Sequence, residues 1–111
     1  MSDIAAAKRG LKIKSGAVKR LAKEVKVYVQ ETSQYEAREA KLVADGADEW
    51  DIKNATKIVE ESKKMIVDTR ERLSKTVDDL QGFITSSKAE FDLEKDEDLL
   101  AAEATLKSPT A

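Results

Sequence analysis

Residues 51–80 read DIKNATKIVEESKKMIVDTRERLSKTVDDL, and this stretch decides the fold. No Gly or Pro interrupts it. Its apolar and small residues, Ile52, Ala55, Val59, Ser62, Ile66, Thr69, Leu73, Thr76 and Leu80, recur on alternating three- and four-residue steps. That spacing is the heptad seam of a helix keeping one side against a partner helix. Charges of both signs fill the intervening positions, as a solvated face requires. A helix of about 30 residues is roughly 45 Å long and cannot bury such a stripe alone. The rest of the chain must supply its partners.

Upstream, a second seam runs through Leu11, Lys14, Val18, Leu21, Val25, Tyr28, Thr32, Tyr35, Glu39 and Leu42. Ala22, Val29 and Val43 widen it on one flank, which predicts a helix packed by two neighbours. The first ten residues are a weakly patterned lead-in, frayed or helical, so the first helix is set at about 11–44. A start capped by Ser15 before Gly16 and an earlier start both fit. Asp45-Gly46 marks a turn over 45–48. There Gly46 can take the left-handed conformation that ends a helix, and Asp48 can cap the next. Trp50 is expected to pack over the end of the bundle.

The second helix is placed at about 49–84 and a bend within 82–92, with Gly82 as a candidate terminator. Ser87 and Glu90 have the spacing of a capping box, which would open a third helix over about 88–106. That helix carries Leu93, Leu99, Leu100, Ala102 and Leu106, and Ser108-Pro109 stops it. The 111 residues therefore predict one all-α domain, an antiparallel three-helix bundle with two long helices and a shorter third. Its packing should resemble spectrin repeats and coiled coils. A helical hairpin that dimerises through its exposed seam uses the same pattern.

Composition narrows the function classes. Charged residues are 38% of the chain and aromatics 5%, which suits long helices with wet outer faces. The chain has no Cys and no His, so thiolate and imidazole chemistry is excluded. The four glycines form no phosphate-binding loop. Acid pairs and runs such as Asp78-Asp79 and Asp96-Glu97-Asp98 lack the alternating ligand pattern of a calcium loop and read as solvated faces. An enzyme is not expected, and neither is a cofactor or metal. No apolar run approaches the ~20 residues needed to cross a bilayer. The basic, Ala-rich start has the composition of a mitochondrial presequence. Its apolar stripe nevertheless runs on without a break, so cytoplasmic residence is expected.

Charge is unevenly placed although the net is only −2. Residues 1–27 carry net +6 and the tail from Phe83 onward net −4, so an antiparallel fold can lay acid tail against basic helix. The basic run Lys8, Arg9, Lys12, Lys14, Lys19, Arg20, Lys23 and Lys26 lacks the interleaved aromatics of a nucleic-acid binder. It also lacks the Trp or Phe of a membrane-surface helix. Docking to an acidic protein is the functional reading that remains beside a solvated face.

Several motifs together resemble the tubulin-binding cofactor A family, also called tubulin-specific chaperone A. They are Leu11-Lys12-Ile13-Lys14-Ser15-Gly16, Val18-Lys19-Arg20-Leu21, Lys23-Glu24, Asp45-Gly46, Asp51-Ile52-Lys53, Glu61-Ser62, Met65-Ile66, Asp68, Arg72-Leu73 and Asp79-Leu80. The resemblance covers about residues 11–81. It implies a three-helix bundle, monomeric or homodimeric, that captures β-tubulin after chaperonin release and holds it for assembly with α-tubulin. It also implies a contact surface on the helices rather than the loops, with other tubulin-folding cofactors as further partners. Lys12, Lys14, Lys19, Arg20 and Lys23 are then expected to steer an acidic tubulin surface. Glu61, Ser62, Met65 and Arg72 are expected to give a second, mixed contact. One position departs: the family commonly has Pro where this chain has Val67, so the second helix should run straighter here. The rival reading is a structural coiled-coil module that pairs with itself or with another helical protein.

Overall fold

The computed structural model describes residues 3–110. The chain is an all-α antiparallel three-helix bundle: α1 (Asp3–Ala44), α2 (Glu49–Glu90) and α3 (Glu97–Lys107), with no strand among the described residues. Two compact units divide it. One comprises residues 3–23 with 71–110; the other is Glu24–Arg70.

The first unit contains three helical segments and most of the hydrophobic core. Leu11 and Val18 of α1, Leu80 and Ile84 of α2, and Leu93, Leu99 and Ala102 from the tail form one buried cluster. Leu73, Val77, Phe83, Phe91 and Leu106 pack around it. Burying an aliphatic side chain of this size contributes about 1.5–3 kcal/mol, so this cluster anchors α3. The α1 helix begins at Asp3, well before residue 11. The run Ala5-Ala6-Ala7 has the highest intrinsic helix preference, and Ala7 is buried. Gly10 does not end the lead-in. It is where the ring of Phe83 crosses α1, and a Cβ there would lie 2.5 Å from the ring's Cζ.

The tail departs further from the expected boundaries. Gly82 is interior to α2, and Ser87 faces the core instead of capping a new helix. Ile84 and Ser87 continue the buried stripe, so α2 gains by running on to Glu90. The α3 helix starts only at Glu97, and its cap is Asp96, whose Oδ2 accepts from the N–H groups of Asp98 (2.9 Å) and Leu99 (3.1 Å). Leu93 is buried from the connecting segment rather than from a helix. After α3, Ser108 donates its N–H to the Ala104 carbonyl and Pro109 follows.

The second unit is a helical hairpin. Its buried residues are small or hydroxylic: Thr32, Ala55, Val59, Ser62 and Thr69. The Thr32 hydroxyl donates to the Tyr28 carbonyl and hydrogen-bonds Ser62 across the seam. At the turn, Ala47 N–H bonds the Leu42 carbonyl and Gly46 N–H the Val43 carbonyl. This paired capping motif needs φ +67° at Gly46, an inexpensive conformation only for glycine. The Asp48 carbonyl accepts from Ile52 N–H, opening α2. Because two helices make this unit, Val29 and Val43 have no second neighbour to cover them and are exposed. Trp50, expected over the end of the bundle, is 69% exposed. It lies in the first turn of α2, two residues before the seam begins at Ile52. The α2 helix continues unbroken through Val67, whose N–H the helix can use as it could not use a proline's.

Candidate functional site

In the first unit, acid tail and basic helix meet. Lys8 Nζ lies 3.0 Å from Asp96 Oδ1 and Lys12 Nζ 3.7 Å from Asp98 Oδ1. Lys14 is pinned against α2, 2.6 Å from Asp79 Oδ2, with its ammonium 5.2 Å from the centre of the Phe83 ring. Lys88 pairs with Glu103 at 3.6 Å. The Asp96 carboxylate is shaped by opposing effects. Burial works to raise its pKa, but the Lys8 hydrogen bond and the N–H groups of Leu99 and Asp98 prevail, holding it below the usual aspartate value. The same hydrogen bond, with the Coulombic pull of Asp96, raises Lys8.

The sequence-predicted cations therefore divide. Lys14 is a structural tether, and Lys12 is partly neutralised by Asp98. Lys19, Arg20 and Lys23 are exposed on α1 and make no ion pair among the described residues. Spacings of three and four residues place Lys19 beside Lys23 and Arg20 beside Lys23 on the helix surface. With no ion pair to neutralise them directly, they offer a positive field to an approaching anionic surface.

In the second unit, Glu61, Ser62 and Met65 border one open recess of about 460 Å³. Tyr28, Glu31, Tyr35, Ile58 and Lys64 complete its lining. Ser62 is only 9% exposed and is spent on the Thr32 hydrogen bond, so Glu61 and Met65 carry the accessible chemistry. A second recess of about 250 Å³ shares Tyr35 and Ile58 and adds Arg38, Leu42, Asp51, Asn54 and Ala55. Arg72 is exposed in the first unit and does not border either recess. The tyrosines are the part that sequence reasoning missed. Tyr28 and Tyr35 occupy seam positions, which reads as core, and nothing in the spacing shows that a hairpin leaves their rings at the edge of a groove.

No cluster of three or more potential metal ligands occurs among the described residues, and no helix among them is long and apolar enough to cross a membrane. An all-helical chain with an exposed cationic helix face and shallow mixed grooves falls in the class of helical bundles. Comparison with known proteins gives the family. Residues 6–106 match the family model described as tubulin binding cofactor A. The chain is 39% identical over 100 residues to tubulin-specific chaperone A of Homo sapiens, covering 90% of each. It is 37% identical over 73 residues to tubulin-folding cofactor A of Arabidopsis thaliana, covering 66% of this chain and 65% of that one. Among solved structures, tubulin folding cofactor A from Arabidopsis thaliana superposes with a TM-score of 0.82 at 30% identity, covering 95% of this chain and 96% of that one. Human tubulin chaperone cofactor A does so at 0.78 and 36%, covering 95% and 99%. This chain belongs to the tubulin binding cofactor A family.

Proposed function

We propose that this protein is a cytoplasmic tubulin-folding cofactor that captures β-tubulin monomers after chaperonin release and holds them for assembly with α-tubulin. The observation that carries the reading to particular residues is the exposed cluster of Lys19, Arg20 and Lys23 on α1, none of them in an ion pair among the described residues. Family membership supports the client: the relatives are named for tubulin binding and tubulin folding. The physics supports the mechanism. Complementary charge accelerates encounter and orients the partner, and a long helical flank then covers client surface that would otherwise aggregate. Glu61 and Met65, on the hairpin groove, supply a second contact of mixed polarity. Other tubulin-folding cofactors are the natural recipients of the held subunit. Nothing in this mechanism uses a nucleotide, a metal or a covalent step.

The test is kinetic. Lys19→Glu with Arg20→Glu is expected to slow association with purified tubulin by about tenfold at low ionic strength. The difference should shrink as salt approaches about 0.15 M. An unchanged association rate in a variant of unchanged helical content would refute the steering role. Self-association that rises with concentration, with no tubulin retained, would favour a coiled-coil module instead.

A further inference from the structure

The two units are built on different cores. Of the largest fully buried side chains, Leu11, Val18, Leu80 and Leu99 belong to the first unit and only Thr69 to the second. Among the described residues, Val59 is the hairpin's only buried aliphatic side chain larger than a methyl. Its seam centres instead on two hydroxyls, Thr32 of α1 and Ser62 of α2, both buried and hydrogen-bonded to each other. Thr32 spends its own hydrogen on the Tyr28 carbonyl, so Ser62 donates across the seam and Thr32 accepts. Such a bond replaces bonds to water and adds little net stability, whereas an aliphatic pair in the same place would add the burial of two side chains. Glu39, another seam position of α1, is a half-buried acid. Two open recesses border the seam, one lined in part by Ser62 and the other by Ala55. Little, then, holds these two helices shut.

We propose that the hairpin seam is a polar latch: residues 24–44 and 49–70 part at the Thr32–Ser62 bond while the first unit stays folded, and the parted form is the one that grips the client. Water takes up both hydroxyls as the helices separate, so opening leaves no buried polar group unpaired. Parting bares Val59, buried in the closed hairpin, and Ile66, half-buried there. These join Tyr28 and Met65, which already border the recess. The helices thereby gain apolar surface to lay against the client, and reclosing withdraws it when the client is passed on. A polar pair that only fixed the register of the two helices would need no opening. The coupling to capture rests on the client reading above.

Amide hydrogen exchange reads the latch without tubulin. Helices parted from their packing partners lose most of their stability, so amides around Thr32 and Ser62 should exchange roughly tenfold faster than those around Leu11 and Leu80. Equal protection in both units overturns the latch and leaves the client reading intact. The chain has no cysteine, so Thr32→Cys with Ser62→Cys adds a single disulfide where the two hydroxyls touch. The same protein is then compared oxidised and reduced. Oxidation should slow hairpin exchange about tenfold and weaken binding to purified tubulin by the same factor, because a client that needs the open form loses affinity as that form grows rarer. An oxidised protein that exchanges more slowly yet binds as tightly as the reduced one overturns the link between opening and capture. Failure of the unmodified chain to form any complex overturns the client reading and that link together, while exchange in the free chain still decides whether the seam opens.

Discussion

At the scale of single residues, the glycines show how little composition says without context. Gly10 lies under the Phe83 ring, with Cζ 2.5 Å and Cε1 2.8 Å from where a Cβ would stand. Gly16 and Gly82 have nothing within 4 Å of that position, and both are helical. Replacing glycine by alanine in a helix gains about 0.5–1 kcal/mol where space allows. Gly16→Ala and Gly82→Ala should therefore each raise stability by that amount in denaturant unfolding. Gly10→Ala should lower it, because forcing a methyl into packed aromatic contact costs about 1–3 kcal/mol and exceeds the gain. In a Phe83→Ala background the penalty should vanish, and a double-mutant cycle measures it directly. Displacing Phe83 also disturbs the ring that faces the Lys14 ammonium, so Gly10, within the expected lead-in, holds part of the α1–α2 contact.

At the scale of elements, α3 depends on Asp96, which caps the helix and pairs with Lys8. Asp96→Ala removes both roles and should cost about 1 kcal/mol from the cap alone. Asp96→Asn keeps a capping oxygen and loses only the charge, so its smaller loss isolates the ion pair. The folded-state pKa of Asp96 lies below the ordinary 3.8. Its contribution is therefore fully present above that value and is lost as pH falls through the depressed one. The folded-state pKa of Lys8 lies above the ordinary 10.5. Its contribution is full below 10.5 and is lost only as pH rises through the raised value. Unfolding followed against pH should show Asp96→Asn converging with the unaltered chain in acid.

The same elements show what sequence can carry. The α2 seam was legible because every one of its nine positions, from Ile52 to Leu80, is buried or half-buried. Heptad spacing is a local consequence of helix geometry. The start of α3 was not legible. Ser87 and Glu90 imitate a capping box, and only the tertiary core, which draws Ser87 inward, rules that role out. The cation set was half legible for the same reason. Its charges are evident in the sequence, but Asp79 and Asp98 decide which of them remain available. The exposure of Trp50 was not legible because its place at the corner, two residues before the seam begins at Ile52, suits packing over the bundle end as well as solvent.

At the scale of the whole molecule, the surfaces proposed to bind the client are exposed helix positions rather than an enclosed pocket. Tubulin capture is the central claim, and the subunit captured is its sharpest form. Purified tubulin should be mixed with the chain, the complex isolated by size exclusion, and the bound subunit identified by mass spectrometry. The account predicts β-tubulin alone, in equal proportion with the chain. Recovery of α-tubulin, or of no tubulin with a chain that remains helical, would contradict it.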